Sequence, residues 1–156
     1  MFKAIFQFLS DVIKDINSDK IWDSRDGICK TRTNGKYGFM DDKGKVIISP
    51  CFDAVYDFSE GLALAELNNK YGFINKNGEI VIDLKFDFAY PFHRGYAKVK
   101  IKKKWGVINK DGDIVLQPVF DSVLGLDKSG KAFFVTFKGA TGFIDKNGNF
   151  TELYKI

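Results

Sequence analysis

Cysteine and histidine are scarce in this chain of 156 residues, which contains two Cys and one His. Cys29 and Cys51 form neither a redox motif nor a set of metal ligands, and a small secreted scaffold would carry more cysteines. We therefore expect both thiols to be reduced and packed as small apolar side chains. Any Ser–His or Cys–His nucleophilic pair would have to use His93, and no nucleophile motif lies near it in sequence.

Long hydrophobic runs are also absent. No segment approaches the roughly 18 consecutive apolar residues of a membrane-spanning helix, so we expect no integral membrane association. Residues 1–16 lack the features of a signal peptide, because Lys3 alone would form the basic n-region and Gln7 and Asp11 interrupt the apolar stretch. The expected location is the cytoplasm, with leaderless export left open.

Strong charge of one sign is missing too. The net charge of +4 favours anionic partners only weakly and is far from the charge density of a dedicated nucleic-acid-binding protein. In contrast, aromatic residues make up 15% of the chain, and it contains 15 glycines. This composition is typical of short strands joined by tight turns.

The dominant pattern is a repeat of about 34 residues. An aromatic residue followed by glycine recurs with a strict spacing of 34 residues at Tyr37, Tyr71 and Trp105. A fourth copy with a threonine in place of the aromatic, Thr141, follows 36 residues after Trp105. Each copy opens a short apolar segment that ends in an Asn/Asp-x-x-Gly turn. These features predict an array of similar units.

The segment before each aromatic–glycine pair repeats as well. It begins with an aspartate at Asp19, Asp53, Asp87 and Asp121. This register predicts four units after residues 1–17, which together cover 18–156. Their approximate bounds are 19–52, 53–86, 87–120 and 121–156.

The aromatic–glycine pair and the turn that follows it resemble the bacterial WG-repeat family. Residues 104–108 read Lys-Trp-Gly-Val-Ile, which is the literal signature, and Tyr37 and Tyr71 are usual aromatic substitutions. The fourth copy departs from the pattern because Thr141 precedes its glycine. The resemblance covers about residues 19–150. It implies a β-rich repeat array with a binding or scaffolding role, and it supplies no catalytic residue.

Each unit reads as a small antiparallel meander. In the second unit, Ala63 and Ala65 alternate with Leu64 and Glu66, and the Asn68-Asn69 pair predicts a hairpin turn. Three strands cannot bury their own apolar face, so neighbouring units must stack. The recurring glycines in mid-strand predict close packing, which we assign to an aromatic ring lying over the bare backbone. Such a glycine follows each repeat position, at Gly38, Gly72, Gly106 and Gly142.

The predicted fold is all-β with one N-terminal α-helix, and the tandem meanders form an open stacked or curved array. A closed propeller-like or barrel-like ring is the alternative. Residues 1–17 place their apolar side chains on one helical face, which predicts an amphipathic helix that caps the array. Docking of this helix on a partner or a membrane surface is the other interpretation. The apolar face comprises Phe2, Ile5, Phe6, Leu9, Val12, Ile13 and Ile16.

Several groups that could suggest catalysis or metal binding have simpler interpretations. An aspartate present in every unit is expected to bond backbone N–H groups in a turn. The Asn/Asp-x-x-Gly turns lack the ligand spacing of a calcium loop and predict hairpins instead. His93 is expected to be a solvent-exposed turn residue. We therefore predict no catalytic residues, no metal site and no cofactor.

The strongest local signal is a run of lysines in the third unit. Strand alternation places Ala97 and Val99 inward and Lys98, Lys100 and Lys102 outward, with Arg94 close by. These cations predict a contact stripe for an acidic protein or an anionic polymer. The competing interpretation is a solvated strand whose lysines discourage edge-to-edge aggregation. Nucleic acid is not expected, because the aromatics follow the repeat and do not interleave with the basic residues.

The fourth unit carries Phe133 and Val135 at positions aligned with outward residues of the other units. Either the C-terminal strand or the N-terminal helix covers them, or they form an apolar interface patch. The corresponding residues elsewhere are Lys30 and Arg32, Leu64 and Glu66, and Lys98 and Lys100.

Together these observations predict a non-enzymatic binding module for another protein, with an acidic or mixed surface. An inhibitor or immunity protein for one bacterial partner is one concrete form. The alternative is a module that binds an envelope polysaccharide, peptidoglycan or another anionic glycan, and a hydrolase is a distant third. The predicted partner-binding residues are Arg94, Lys98, Lys100, Lys102, Phe133 and Val135.

Overall fold

The computed structural model describes residues 27–126, 132–145 and 147–155, and this part of the chain contains fifteen β-strands. The predicted helix over residues 1–17 and the first repeated aspartate, Asp19, lie outside the described residues. Within the described ranges, no helix is long and apolar enough to cross a membrane.

The strands form four antiparallel sheets in which each strand pairs with the next one along the chain. The first sheet contains β1 (Ile28–Thr33), β2 (Lys36–Asp41) and β3 (Val46–Phe52). The second contains β4 (Ala54–Ser59), β5 (Leu62–Leu67), β6 (Lys70–Asn75) and β7 (Ile80–Phe86). The third contains β8 (Phe88–Ala89), β9 (Tyr96–Ile101), β10 (Lys104–Asn109) and β11 (Ile114–Phe120). The fourth contains β12 (Ser122–Leu126), β13 (Ala132–Phe137), β14 (Ala140–Asp145) and β15 (Phe150–Lys155). The predicted meanders are confirmed, and none of these sheets closes into a barrel.

Tight turns join the strands as the sequence predicts. Asn68 and Asn69 have φ values of 53° and 58°, the left-handed conformation that a two-residue hairpin requires. The longer turn after β6 is built on Asn75, whose Oδ1 accepts the N–H groups of Asn77 and Glu79, each at 3.0 Å. The side-chain oxygen is thus used to build the turn, and the same bonds recur at Asp41, Asn109 and Asp145.

The glycine after each aromatic residue allows a bulged neighbouring strand to approach. The pairing of β6 with β7 shifts register on both sides of Phe73. A Cβ atom on Gly72 would lie 2.5 Å from the carbonyl oxygen of Ile82, and one on Gly106 would lie 2.6 Å from that of Leu116. The predicted close packing is present. The assignment to an overlying aromatic ring is wrong at Gly38, Gly72 and Gly106, where the three nearest atoms are all backbone. At Gly142 the ring of Phe150 would lie 2.9 Å from an added Cβ atom, although the carbonyl oxygen of Thr151 is nearer.

The hydrophobic core lies between successive sheets. Ala63 and Ala65 of β5 are fully buried against the first sheet, which confirms that small residues mark close approach of another layer. Leu64, on the opposite face of β5, is 1% exposed and packs toward the third sheet. The prediction that Leu64 points outward is wrong, because both faces of the second sheet are covered by neighbouring units.

Three core clusters join the sheets in sequence order. Phenylalanines contribute to each, and full burial of one such side chain contributes about 1.5–3 kcal/mol. The clusters join the first sheet to the second, the second to the third and the third to the fourth. The first cluster includes Phe39, Ile48 and Ile74, the second Phe73, Phe92 and Ile108, and the third Val107, Phe133 and Ile144.

The repeated aspartate ties each unit to the one before it. Asp53 accepts a hydrogen bond of 2.6 Å from the ammonium group of Lys36 in the preceding unit. It accepts a second bond, of 2.7 Å, from the backbone N–H of Asn68 in the hairpin of its own unit. The same two bonds recur at Asp87 and Asp121. The predicted bond to a turn N–H is confirmed, but it reaches a hairpin 15 residues away. We call this arrangement the aspartate clip.

The two cysteines differ in their surroundings. Cys29 is buried, as expected, whereas Cys51 is exposed. The expectation that both pack as small apolar side chains is therefore wrong for Cys51, because β3 is the outer strand of its sheet and Cys51 lies on its solvent side.

Replacing Gly72 with alanine should lower the free energy of unfolding by about 1–3 kcal/mol, because the added methyl group collides with the backbone of β7. Urea unfolding followed by circular dichroism measures the change. Gly125→Ala is the control, since a Cβ atom there meets nothing within 4 Å. It should shift stability by less than about 0.5 kcal/mol. Equal stability of the two variants would contradict the requirement for glycine.

The aspartate clip should make the fold sensitive to acid. The Lys70 ammonium and then the N–H of Lys102 hold the pKa of Asp87 below its usual value. Its stabilising effect is therefore present above the unfolded-state pKa of about 4 and is lost as the pH falls through the folded-state value. Asp87→Asn should flatten the loss of stability below about pH 4. Urea unfolding from pH 6 to pH 2 tests this, with Asp42→Asn, in an exposed turn, retaining the wild-type slope.

Candidate partner-binding surface

The third sheet has one face toward the fourth unit. On this face its residues differ from those at the same repeat positions of the second sheet. Lys98 and Lys100 stand where the second unit has Leu64 and Glu66. On β9 they alternate with Ala97 and Val99, which pack toward the second unit. Strand alternation therefore turns both lysines to the opposite face, and both are half-buried there.

Aromatic side chains lie across the sheet from these lysines. Lys100 is paired with Trp105 on β10, and its Nζ lies 5.3 Å from the centre of the indole ring. The Nζ atom of Lys98 lies 4.3 Å from the centre of the Tyr90 ring. Tyr90 stacks on Trp105 with ring centres 5.6 Å apart, and Phe88 meets Tyr90 edge-on at 5.3 Å. We call these five residues the aromatic–lysine surface.

Lys98 has an unusual electrostatic environment. Burial lowers its pKa, because a partly desolvated ammonium is less favourable than a hydrated one. In the first unit, the equivalent Lys30 pairs with Asp57 at 2.8 Å. In the described part of the chain, no carboxylate lies within salt-bridge distance of Lys98, and its contact with the Tyr90 ring is a cation–π interaction.

The other two predicted cations lie in turns at opposite ends of β9. Arg94 is exposed in the turn before the strand, with φ of 53°. Lys102 has φ of 48° in the following hairpin, where its N–H donates to Asp87. The structure thus brings Lys98 and Lys100 together. The prediction that Lys102 extends their stripe is wrong, because the strand ends at Ile101 and alternation stops there.

Phe133 and Val135 are core residues. They are 2% and 0% exposed between the third and fourth sheets, and Tyr96 of the third sheet meets the Phe133 ring edge-on at 5.4 Å. Val135 pairs with Gly142 as Val99 pairs with Gly106. Phe133 and Val135 therefore match Ala97 and Val99, the inward residues of the third unit.

The prediction that Phe133 and Val135 contact a partner is wrong. It aligned the fourth unit one residue out of register across its two-residue insertion, and a shift of one residue reverses the faces of a strand. Residues of the third sheet, among them Val107, Leu116 and Phe120, cover these side chains.

The groups considered for catalysis have structural roles. The aspartates of the described units form the clips, and hydrogen bonds from lysine ammonium groups are the largest cause that lowers the pKa of Asp53, Asp87 and Asp121. His93 is an exposed turn residue, as predicted, and its backbone bonds that of Tyr96. Across the described ranges, no group of three or more His, Cys, Asp or Glu side chains is placed to bind a metal ion.

The family model for the WG-containing repeat matches residues 37–71, 71–105 and 105–136, three consecutive copies that cover well over half of the chain. The chain belongs to the WG-repeat family. No curated protein matches the sequence. The matched repeats start at Tyr37, Tyr71 and Trp105, so the residue that names the family is the one that contacts Lys100 in this WG-repeat protein.

Two features of the WG-repeat surface have no distinct mark in the sequence. Tyr90 is 44% exposed and Tyr56, one repeat earlier, is 39% exposed, yet both read as core aromatics. The two tyrosines lie 34 residues apart, and the backbone N–H of Tyr90 donates to the carbonyl oxygen of Lys98 at 3.0 Å, so the repeat spacing is the signal that links Tyr90 to this lysine. A row of exposed apolar side chains also recurs, each two residues after a turn glycine, at Val46, Ile80, Ile114 and Phe150.

Replacing Phe133 with alanine should lower the free energy of unfolding of the WG-repeat protein by about 3–5 kcal/mol, because a buried ring is removed from the third core cluster. Arg94→Ala should change it by less than about 0.5 kcal/mol, because Arg94 is exposed. Both values come from urea unfolding. A mild effect at Phe133 would restore the idea that this side chain lies on the surface.

Proposed function

We propose that this WG-repeat protein is a non-enzymatic binding module and that its aromatic–lysine surface contacts an acidic segment of another protein. The observation that carries the proposal is the half-buried Lys98, whose ammonium is held over Tyr90 with no carboxylate beside it among the described residues. A partner carboxylate would supply the missing counter-charge through a charge-assisted hydrogen bond. An inhibitor that acts on one bacterial protein is a concrete form of this role.

The surrounding aromatic residues support recognition of a protein. Trp and Tyr are enriched among the residues that dominate binding energy at protein interfaces. Trp105 and Tyr90 hold each other in place by stacking, and Phe88 supports both rings. Such a packed cluster loses little conformational freedom on binding, which favours affinity.

An anionic glycan is the second candidate, because Tyr56 and Tyr90 are exposed aromatics that recur one repeat apart. A sugar ring binds best on a free aromatic face. The Tyr90 side chain is 44% exposed, but Trp105 and the Lys98 ammonium contact its ring and would compete with a sugar for the ring faces. The geometry therefore favours a protein partner.

The absence of a role in catalysis is part of the same proposal. The aspartates of the described units accept hydrogen bonds that hold neighbouring units together, and the single histidine is an exposed turn residue. An enzymatic activity of the intact protein that His93→Ala abolishes would contradict this part of the proposal.

The surface can be tested by giving the third unit the residues of the second. The double variant Lys98→Leu/Lys100→Glu should weaken binding of the captured partner at least tenfold, or about 1.4 kcal/mol, because it removes both cations. Partner capture from cell lysate identifies the ligand, and calorimetry measures its affinity at two salt concentrations. Wild-type binding should weaken with added salt.

The matched control is Lys43→Glu/Lys110→Ala, which changes the net charge equally in exposed turns. It should retain near-wild-type affinity. Equal losses in both double variants would show a general charge effect and contradict the proposed surface. Hits on a glycan array without any captured protein would favour the second candidate.

A further inference from the structure

A cavity of about 300 Å³ lies between the third and fourth sheets, beside the aromatic–lysine surface. Val107, Val123 and Phe133 form its apolar wall, and all three are buried. Tyr90 and Lys98 line it as well. The cavity therefore combines an apolar interior with a cationic group and an aromatic ring.

The cavity arises where the array departs from its own repeat. A pair of phenylalanines fills the first junction, Phe39 and Phe58, with ring centres 4.8 Å apart. The second junction is filled in the same way by Phe73 and Phe92, at 4.6 Å. In the third junction, Val107 stands at the repeat position of Phe39 and Phe73.

A valine cannot fill the space of a phenylalanine, and loss of a large core side chain leaves a cavity unless the structure collapses. At the same junction, Lys98 occupies the repeat position that Leu64 has in the second unit, and it is paired with Val107 on the neighbouring strand. A smaller apolar side chain, Val107, and a charged one, Lys98, thus occur together at the third junction. A cation beside unfilled apolar space can pair with an anion that enters the space, which points to a binding site.

The chemistry of the lining limits the ligand. The ammonium of Lys98 is half-buried and lacks a carboxylate among the described residues, so it favours an anion. The apolar wall favours a branched aliphatic or small aromatic group directly attached to that anion. A volume of 300 Å³ lies at the low end for ligand pockets, which suits one residue better than an extended chain.

We propose that this cavity binds a carboxylate carried on a small apolar group, as at the C-terminal residue of a peptide. Lys98 pairs with the carboxylate, and Val107, Val123 and Phe133 enclose the apolar part. The inference deepens the proposed function and rests on it for the assignment to a protein partner. The carboxylate chemistry itself is independent of that assignment. Burial of Lys98, which lowers its pKa, agrees with an ammonium that gains from a bound anion.

Three small probes test the chemistry. N-acetyl-leucine imitates a peptide C-terminus, N-acetyl-leucinamide removes the negative charge, and 4-methylpentanoate keeps the acid without the peptide group. In amide-resolved NMR titrations, N-acetyl-leucine should shift the signals of Val107, Val123 and Gly125 saturably. N-acetyl-leucinamide should bind at least about tenfold more weakly.

The outcomes separate the two sources of carboxylate. Weaker binding of 4-methylpentanoate than of N-acetyl-leucine supports a peptide terminus. Equal binding of these two acids would overturn the peptide assignment in favour of a free organic acid. Equal binding of N-acetyl-leucine and its amide, or no binding of any probe, would overturn the proposal.

Two variants borrow residues that the array already carries at these positions. Val107→Phe should fill the cavity, and Lys98→Leu should remove its charge, each weakening N-acetyl-leucine binding at least about tenfold. Lys110→Ala, in an exposed turn, is the control and should bind like wild type. Undiminished binding by Val107→Phe would contradict the site. If that variant does not fold, Lys98→Leu and the acid–amide comparison decide the question.

The single variant Lys100→Glu distinguishes this inference from the proposed function, because Lys100 contacts Trp105 and does not line the cavity. It should weaken capture of the protein partner and leave N-acetyl-leucine binding intact. If no probe binds while Lys100→Glu still abolishes capture, the cavity proposal falls and the surface proposal stands. If the probes bind and capture is unaffected by Lys100→Glu, the surface proposal falls.

Discussion

Burial of each sheet against the next one is the interaction on which the whole array depends. A meander of three or four short strands has two faces and can cover neither alone. In the second sheet, Ala63 and Leu64 are adjacent in sequence, and each is buried against a different neighbour. Stability therefore resides in the junctions, and a change at one junction alters two units at once.

The same dependence determines where function can develop. A junction filled by two phenylalanines is closed, whereas the junction with Val107 contains a cavity next to a half-buried lysine. The aromatic residue that defines the family serves here as a support for Lys100. The scaffold and the proposed binding surface thus share side chains in the third unit.

Much of the fold follows from local patterns. Asn68 and Asn69 predict a hairpin because few residues adopt positive φ without strain, and the meander follows from such turns. The environment of Leu64 was harder to foresee, since alternation gives two faces but does not say whether solvent or another sheet covers each. Phe133 was assigned to the wrong face because a two-residue insertion hides the strand register. Lys98 and Lys100 were found as a charged pair, but their aromatic partners became visible only through cross-strand pairing.

The aspartate clip has a consequence for how such proteins change length. In each clip an aspartate accepts a hydrogen bond from a lysine 17 residues earlier, in the preceding unit. The same aspartate accepts a second bond from a hairpin N–H of its own unit. Deleting residues 53–86 would bring Lys36 and Asp87 to that same separation, so the polar contacts across the new junction would be the original ones. The same hydrogen bonds can therefore form between any two units that become neighbours. Arrays with more or fewer units need no new type of polar contact between them.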